Sequence, residues 1–363
     1  MSNTYTAAVI SLNSESSKMT VEALKEYFSE VHALNIKNIE IVLGDKNPIL
    51  YEGKPLPAFD CVIVKGSFRY AAIANSITKI LWPTTYLPIC AESFTVVHDK
   101  VLTHIQMQSA HIPMPKTYLT SSVVGAKELL KFVHYPVVLK FPQGTQGKGV
   151  MFADTYAAAS SLLDAFDTLK QSVLIQEYVE TNGEDIRAFV IGNKVVAAMK
   201  RKAASGEKRS NLHAGGLSEA FVCPPAVEKI AIETAKAIGA EICGVDILES
   251  HKYPVVIEAN LSPGLQGITN ATGKNIAGLI AKHVYEKTVA YKAAQGSPNA
   301  QDILDGLQKQ KKPVNPQSLF GTLDWRGNRI LLPEAITKLS SLTEHDECTI
   351  TIHPGKIEIK KGL

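Results

Sequence analysis

Two apolar runs near the middle of the chain, Gly244-Val245-Asp246-Ile247-Leu248 and Val255-Val256-Ile257-Glu258-Ala259-Asn260, carry acidic and amide oxygens where a buried strand would carry aliphatic groups. Side chains two apart on a strand share a face, so Glu258 and Asn260 point the same way. Asp246 can join them across the short turn Glu249-Tyr253, and Ser262-Pro263-Gly264 closes the pair. Two carboxylates and one amide oxygen form a hard, all-oxygen set that suits Mg²⁺ or Mn²⁺ and not zinc. Alone, the same residues would also suit a hairpin whose polar side chains face solvent. The segments upstream argue against that.

Tyr135-Pro-Val-Val-Leu-Lys140-Phe-Pro is a short β-rich run ending in a lysine. A glycine-rich stretch with Gly144, Gly147 and Gly149 follows, and then the apolar run Val150-Met-Phe-Ala153. This predicts strand, loop, strand, with main-chain N–H groups free to close on an anion. The G-x-x-G-x-G spacing matches neither the dinucleotide fingerprint nor a Walker A loop. Val173-Leu-Ile-Gln176-Glu177-Tyr178-Val179 reads as another strand, leading to Glu184-Asp185-Ile186-Arg187. Beyond Met199 come Lys200, Arg201, Lys202, Lys208 and Arg209, ending in Ser210-Asn211-Leu212-His213. Such a run is commonly a solvated face or a nucleic-acid patch. No aromatic residue lies between Lys200 and His213 to stack a base, which favours a phosphate site.

From about Val97 to Lys287 the order of these motifs resembles the ATP-grasp superfamily, and within it the RimK-like α-L-glutamate ligases. The resemblance rests on residues 144–150, 176–179, 185–187, 209–213, 244–248 and 258–265. It implies an α/β fold: an ATP-grasp core preceded by a small parallel α/β domain. The implied roles are specific. Lys100 and Lys140 hold the α- and β-phosphates, with Gly144, Gly147 and Gly149 around them and Gln176 and Tyr178 in the nucleotide site. The backbone of Glu177 and Val179 reads adenine, and Asp185 takes the ribose. Arg209, Ser210 and Asn211 stand near the reacting phosphate. Asp246, Glu258 and Asn260 hold two Mg²⁺ or Mn²⁺ ions, and Arg187 and Arg201 face the acyl-phosphate or incoming carboxylate. One position departs from the pattern: RimK-like proteins tend to carry Arg after the histidine, and here Ala214 follows His213.

The implied chemistry needs no nucleophilic serine or cysteine. A carboxylate attacks the γ-phosphate of ATP to give an acyl-phosphate and ADP, and an amine then displaces phosphate to form an amide. Fixed cations and metal can supply most of the catalysis through positioning and electrostatics. The expected substrates are an amino acid, L-glutamate, and a carboxylate acceptor: a peptide or protein C-terminus, or a growing polyglutamate. A small-molecule amino-acid ligase is the alternative. A DNA-associated regulator with a nucleotide-sensing core is a more distant one.

The 363 residues predict several domains, and 45% apolar with 20% charged residues is ordinary for a soluble enzyme. A net charge of +3 is too small to argue for nucleic acid. Five scattered cysteines without a C-x-x-C pair read as reduced thiols, and the N-terminus carries no signal-peptide pattern, so the expected location is cytoplasmic. No apolar run approaches a membrane span.

Apolar runs at 5–12, 38–43 and 60–65, with an amphipathic helix carrying Val21, Leu24, Phe28 and Val31, predict a parallel α/β domain over residues 1–95. The ATP-grasp domain is expected over 96–290, with helices at 156–169 and 225–239. A linker of Ala, Gln, Ser, Lys and Pro spans 291–318. The last segment, 319–363, predicts a helix at 335–342 and strands at 346–352 and 356–360. It resembles the AbrB/SpoVT swapped-hairpin β-fold. Its charges cancel and it is short for a core of its own, so it is expected to build a homo-oligomer and not to bind DNA.

Overall fold

The computed structural model describes residues 4–44, 48–120, 122–142, 149–168, 170, 172–203 and 217–295, and in the tail 324–326, 329–331, 348–353 and 356–361. Residues Met1–Ser297 form one compact unit and Pro298–Leu363 a second.

The first apolar run becomes β1 (Thr6–Ser11), buried along all but its first residue. Ser14 then caps α1 (Glu15–Leu24), its hydroxyl accepting from the Ser17 N–H. The helix stops at Leu24, so Phe28 lies beyond it and Val31 falls on the next strand, β2 (Glu30–Asn35). The expected longer helix is thus an α1–turn–β2 unit whose apolar residues still meet one core. The run at 38–43 does not join the parallel sheet. It supplies β3 (Ile39–Ile41), which pairs antiparallel with β4 (Ile49–Tyr51), followed by β5 (Lys54–Pro55). β6 (Cys61–Val64) returns to β1, giving a parallel sheet in the order β2-β1-β6. The sequence signal missed β2 because its residues are mostly exposed or half-buried. Three helices follow: α2 (Ala71–Leu81), α3 (Ala91–Val97) and α4 (Lys100–Ser109).

Next comes a small lobe of β7 (Thr117–Leu119), α5 (Val123–Leu129), β8 (Val137–Lys140), β9 (Val150–Ala153), α6 (Tyr156–Thr168) and β10 (Leu174–Glu177). Its antiparallel sheet runs β7-β10-β8-β9. β8 and β9 form the hairpin expected around the glycine loop, whose residues 143–148 lie outside the described set. Gly149, at its end, has φ +77, and a side chain there would run into the Phe141 ring. Leu130, Leu139, Leu163, Phe166 and Ile175 give this lobe a core of its own.

The body is built on β11 (Glu184–Ile191), β12 (Lys194–Lys202), β13 (Leu217–Ala220), α7 (Pro225–Ala237), β14 (Ile242–Glu249), β15 (Pro254–Asn260), α8 (Leu265–Thr272) and α9 (Ile276–Gln295). Its antiparallel sheet is ordered β13-β12-β11-β14-β15. The body shares its core with the first hundred residues: Ile10, Val64, Ile77 and Phe94 belong to the same cluster as Ile186, Val245 and Val256. α9 adds polar ties to that region, Lys292 pairing with Asp60 at 2.8 Å and the Tyr291 hydroxyl donating to the Trp82 carbonyl at 3.2 Å.

The second unit shows two antiparallel hairpins, β16 (Asp324–Arg326) with β17 (Arg329–Leu331) and β18 (Cys348–His353) with β19 (Lys356–Lys361). The helix expected at 335–342 lies outside the described residues.

Candidate active site

A cavity of about 590 Å³ opens between the small lobe and the five-stranded sheet. Pro115, Val138, Val150, Phe152, Leu248 and Ile257 give it apolar walls, and Lys100, Lys140, Asp246 and Glu258, with the Asn260 amide, give it a charged and polar floor. Ser14, Gly66 and Ser67 extend the lining into the first hundred residues. The sequence marks none of these three as a site residue, because a loop at the end of a parallel strand has no residue pattern that marks it as a lining.

Strand register explains the charged floor. Asp185 opposes Arg201, Arg187 opposes Asp246, Asp246 opposes Glu258, and Gly244 opposes Asn260. Alternation then puts all of these side chains on one face. Arg187 grips Asp246 with Nε at 2.7 Å and Nη2 at 2.6 Å. Arg201 grips Asp185 in the same two-pronged way, at 2.6 and 2.7 Å, and its Nη2 also lies 3.1 Å from Asp246. Burial alone would raise the Asp246 pKa, but the two arginines overcome it and hold the carboxyl well below the usual range. Glu258 shifts the other way, raised by burial and then by the Asp246 charge opposite it. Burial opposes the Arg201 charge too, yet Asp246 and Asp185 raise its pKa.

The expected basic loop divides at this point. β12 runs on through Lys202, so three of its five cations are strand residues paired with carboxylates. Arg201 points inward, Lys200 meets Glu249 at 3.1 Å, and Lys202 meets Glu184 at 3.2 Å. Lys208, Arg209, Ser210, Asn211, His213 and Ala214 lie outside the described residues, as do Gly144 and Gly147. Asp185, read above as a ribose ligand, has both oxygens engaged by Arg201.

The Lys140 ammonium donates to Gln176 Oε1 at 2.6 Å. Burial brings its pKa down to about 8, opposed in part by Glu258 and aided by Lys100. Lys100 begins α4 behind its cap Asp99, and its N–H donates to the Pro142 carbonyl at 3.0 Å. Gln176 also contacts His104 and Thr117, two residues that sequence reasoning passed over. The one available signal was spacing, since His104 follows Lys100 by four residues and so shares its helix face. Glu177, Tyr178 and Val179 line the cavity where the lobe meets the body.

Two carboxylates and an amide are donors of the kind a divalent cation takes, with Asp246 sharing its oxygens between such an ion and the arginines that already grip both of them. Asp246 and Glu258 are carboxylates directly opposed across two strands, and Asn260 lies beside them, its Nδ2 3.5 Å from Asp246. Among the described residues no three His, Cys, Asp or Glu side chains cluster, and these two carboxylates and the amide are the donors that the described part of the cavity offers.

The family profile described as the RimK-like ATP-grasp domain matches residues 97–284. The chain belongs to the RimK-like ATP-grasp family. A "probable alpha-L-glutamate ligase" of Marinomonas sp. (strain MWYL1) is 38% identical over 287 residues, covering 77% of this chain and 95% of that protein. One from Vibrio cholerae serotype O1 is 40% identical over 282 residues, covering 76% and 93%. Among solved structures, the RimK domain ATP-grasp protein of Sphaerobacter thermophilus aligns with a TM-score of 0.61 at 18% identity, covering 77% of this chain and 99% of that one. D-alanine–D-alanine ligase of Bacillus anthracis aligns with a TM-score of 0.56 at 17% identity, covering 81% and 100%. Both share the fold. The chain is an ATP-grasp ligase of the ADP-forming, amide-bond-making kind.

Proposed function

We propose that this RimK-like ligase adds L-glutamate to a carboxylate acceptor, a peptide or protein C-terminus or a polyglutamate chain. The observation that carries the ligase half of this reading is one cavity holding an apolar slot, two lysines and an opposed pair of carboxylates. The names of the curated relatives support glutamate as the added amino acid.

In this reading the apolar walls take adenine, with the Glu177 carbonyl and Val179 N–H as its hydrogen-bonding partners. Lys100 and Lys140 meet the phosphates as point charges. Asp246, Glu258 and Asn260 hold Mg²⁺, which would supply charge neutralisation on the phosphates. The acceptor carboxylate attacks the γ-phosphorus and ADP leaves. The glutamate amine then attacks the acyl carbon, loses a proton and expels phosphate. Arg187 and Arg201 serve chiefly to fix Asp246 beside the reacting oxygens, and Arg209, Ser210 and Asn211 act near the transferred phosphoryl group. Ala214 in place of the family's arginine points to an acceptor gripped differently from that of other RimK-like proteins.

Residues 1–95 are read as the domain preceding the ATP-grasp region (96–290), 291–318 as a linker, and 319–363 as an AbrB-like assembly module. The two tail hairpins are compatible with that last reading. A cytoplasmic location suits the free thiols Cys61, Cys90, Cys223 and Cys243. No helix among the described residues is long and apolar enough to cross a membrane.

The test is ADP release by purified protein with ATP, Mg²⁺ and each amino acid in turn, with peptide and free-glutamate acceptors. Release with L-glutamate, with a product heavier by glutamyl units in mass spectrometry, is the expected result. Release that is fastest with another amino acid would overturn the substrate assignment.

A further inference from the structure

We infer that His104 is a positioning residue for nucleotide binding: its Nδ1-protonated ring locks the Gln176 amide so that the amide oxygen, not the NH₂, meets Lys140 and aims its ammonium into the cavity. The inference rests on the reading above that Lys140 meets the phosphates of ATP.

The argument is one of proton bookkeeping along a chain of contacts. At one end the Thr117 hydroxyl lies 2.9 Å from the Pro115 carbonyl, which can only accept, so the hydroxyl donates there. Its oxygen is left to accept from Gln176 Nε2 at 2.8 Å. At the other end His104 Nδ1 lies 2.6 Å from the Lys100 carbonyl, so the ring proton sits on Nδ1. His104 Nε2 is then an acceptor, and Gln176 Nε2 donates to it at 3.1 Å. Both hydrogens of the amide nitrogen are used, and Oε1 is turned to Lys140 Nζ at 2.6 Å. Two main-chain carbonyls therefore set the polarity of the whole chain. The flipped amide would place NH₂ against an ammonium and Oε1 against two acceptors.

His104 and Gln176 are both largely buried where they border the cavity, so these contacts are little exposed to solvent. Lys140 has a long, flexible stem and only one end fixed by the strand. The amide oxygen gives that ammonium a defined resting place on the cavity floor. A buried histidine with two satisfied nitrogens would ordinarily be core structure. Here the contacts running from it end on a cavity lysine, which gives it a consequence for ligand binding.

The experiment measures ATP affinity by calorimetry with Mg²⁺ and no amino acid, beside the thermal midpoint, for the unaltered chain and three variants. His104→Leu removes the acceptor, and affinity should fall on the order of tenfold, the loss expected for a charge-assisted contact. His104→Gln offers a side-chain carbonyl to Gln176 and should recover most of that loss. Thr117→Val removes the other acceptor at nearly constant shape and should weaken binding severalfold. If His104→Leu does not fold, Thr117→Val carries the test alone. Unchanged affinity in the folded variants overturns the inference. So does equal weakening in His104→Leu and His104→Gln that follows their loss of thermal stability, since that marks a purely structural histidine. Failure of the unaltered chain to bind ATP would instead overturn the reading of the cavity as a nucleotide site.

Discussion

Lys140 is charged in a setting that works against charge. Burial holds it at about 8, so above that pH the nucleotide-free protein carries mostly the amine. Phosphates favour the ammonium and raise its pKa on binding. ATP binding near pH 8 should therefore take up about half a proton, and affinity should fall as pH rises from 7 to 9. Calorimetry in buffers of different ionisation enthalpy reads this directly, and pH-independent binding would remove Lys140 from the phosphate site. Lys65 is also brought to about 8 by burial, so Lys65→Met should keep the uptake and serves as the control. The two proposed metal carboxylates should separate cleanly. Glu258 has a raised folded pKa, so its charge costs stability at neutral pH. Glu258→Gln should leave the thermal midpoint unchanged or higher while ADP release falls on the order of a hundredfold. Asp246→Asn strips Arg187 of its carboxylate partner and Arg201 of the second of its two, and should cost about 3 kcal/mol of stability as well. Urea titration beside an ADP assay distinguishes them.

At the scale of elements, the site is a property of strand register. β11, β12, β14 and β15 bring Asp185, Arg187, Arg201, Asp246, Glu258 and Asn260 to one face through pairings that no single strand contains. Within one hairpin the alternation rule was enough, and the Asp246–Glu258–Asn260 grouping was legible from sequence. The arginines were legible as charges but not as partners. Arg201 looked like part of a loop because nothing in Lys200-Arg201-Lys202 marks which residue turns inward. β2 was hidden because its half-exposed residues lack an apolar signature, and the spacing that linked Val21 to Val31 ran across a turn. Arg201→Ala should leave Asp185 buried without its two-pronged donor and cost about 3–5 kcal/mol in a urea titration. Adding Asp185→Asn should recover part of that cost, and a loss below 1 kcal/mol in the single variant would show the pair to be dispensable.

For the whole molecule, the distribution of cores matters more than the order of segments. The small lobe around residues 117–177 has its own core, while the first hundred residues and the body share theirs. Amides of β7, β8, β9 and β10 should therefore exchange with deuterium before those of β1, β11 and β14, and ATP should slow the lobe most. Uniform exchange across both regions would contradict a separately cored lobe. Cutting the chain after Ser297 should leave ATP binding intact, because every described site residue lies in the first unit. Light scattering of the same truncation would show whether the tail builds an assembly. The shared core also bears on how such a chain can be recombined. A crossover near residue 95 would join two halves of a core that had not adapted to each other, so a foreign first domain would arrive with mismatched packing. A crossover pair bracketing 117–177 would carry an entire core with it, which makes that lobe the portable piece of this architecture.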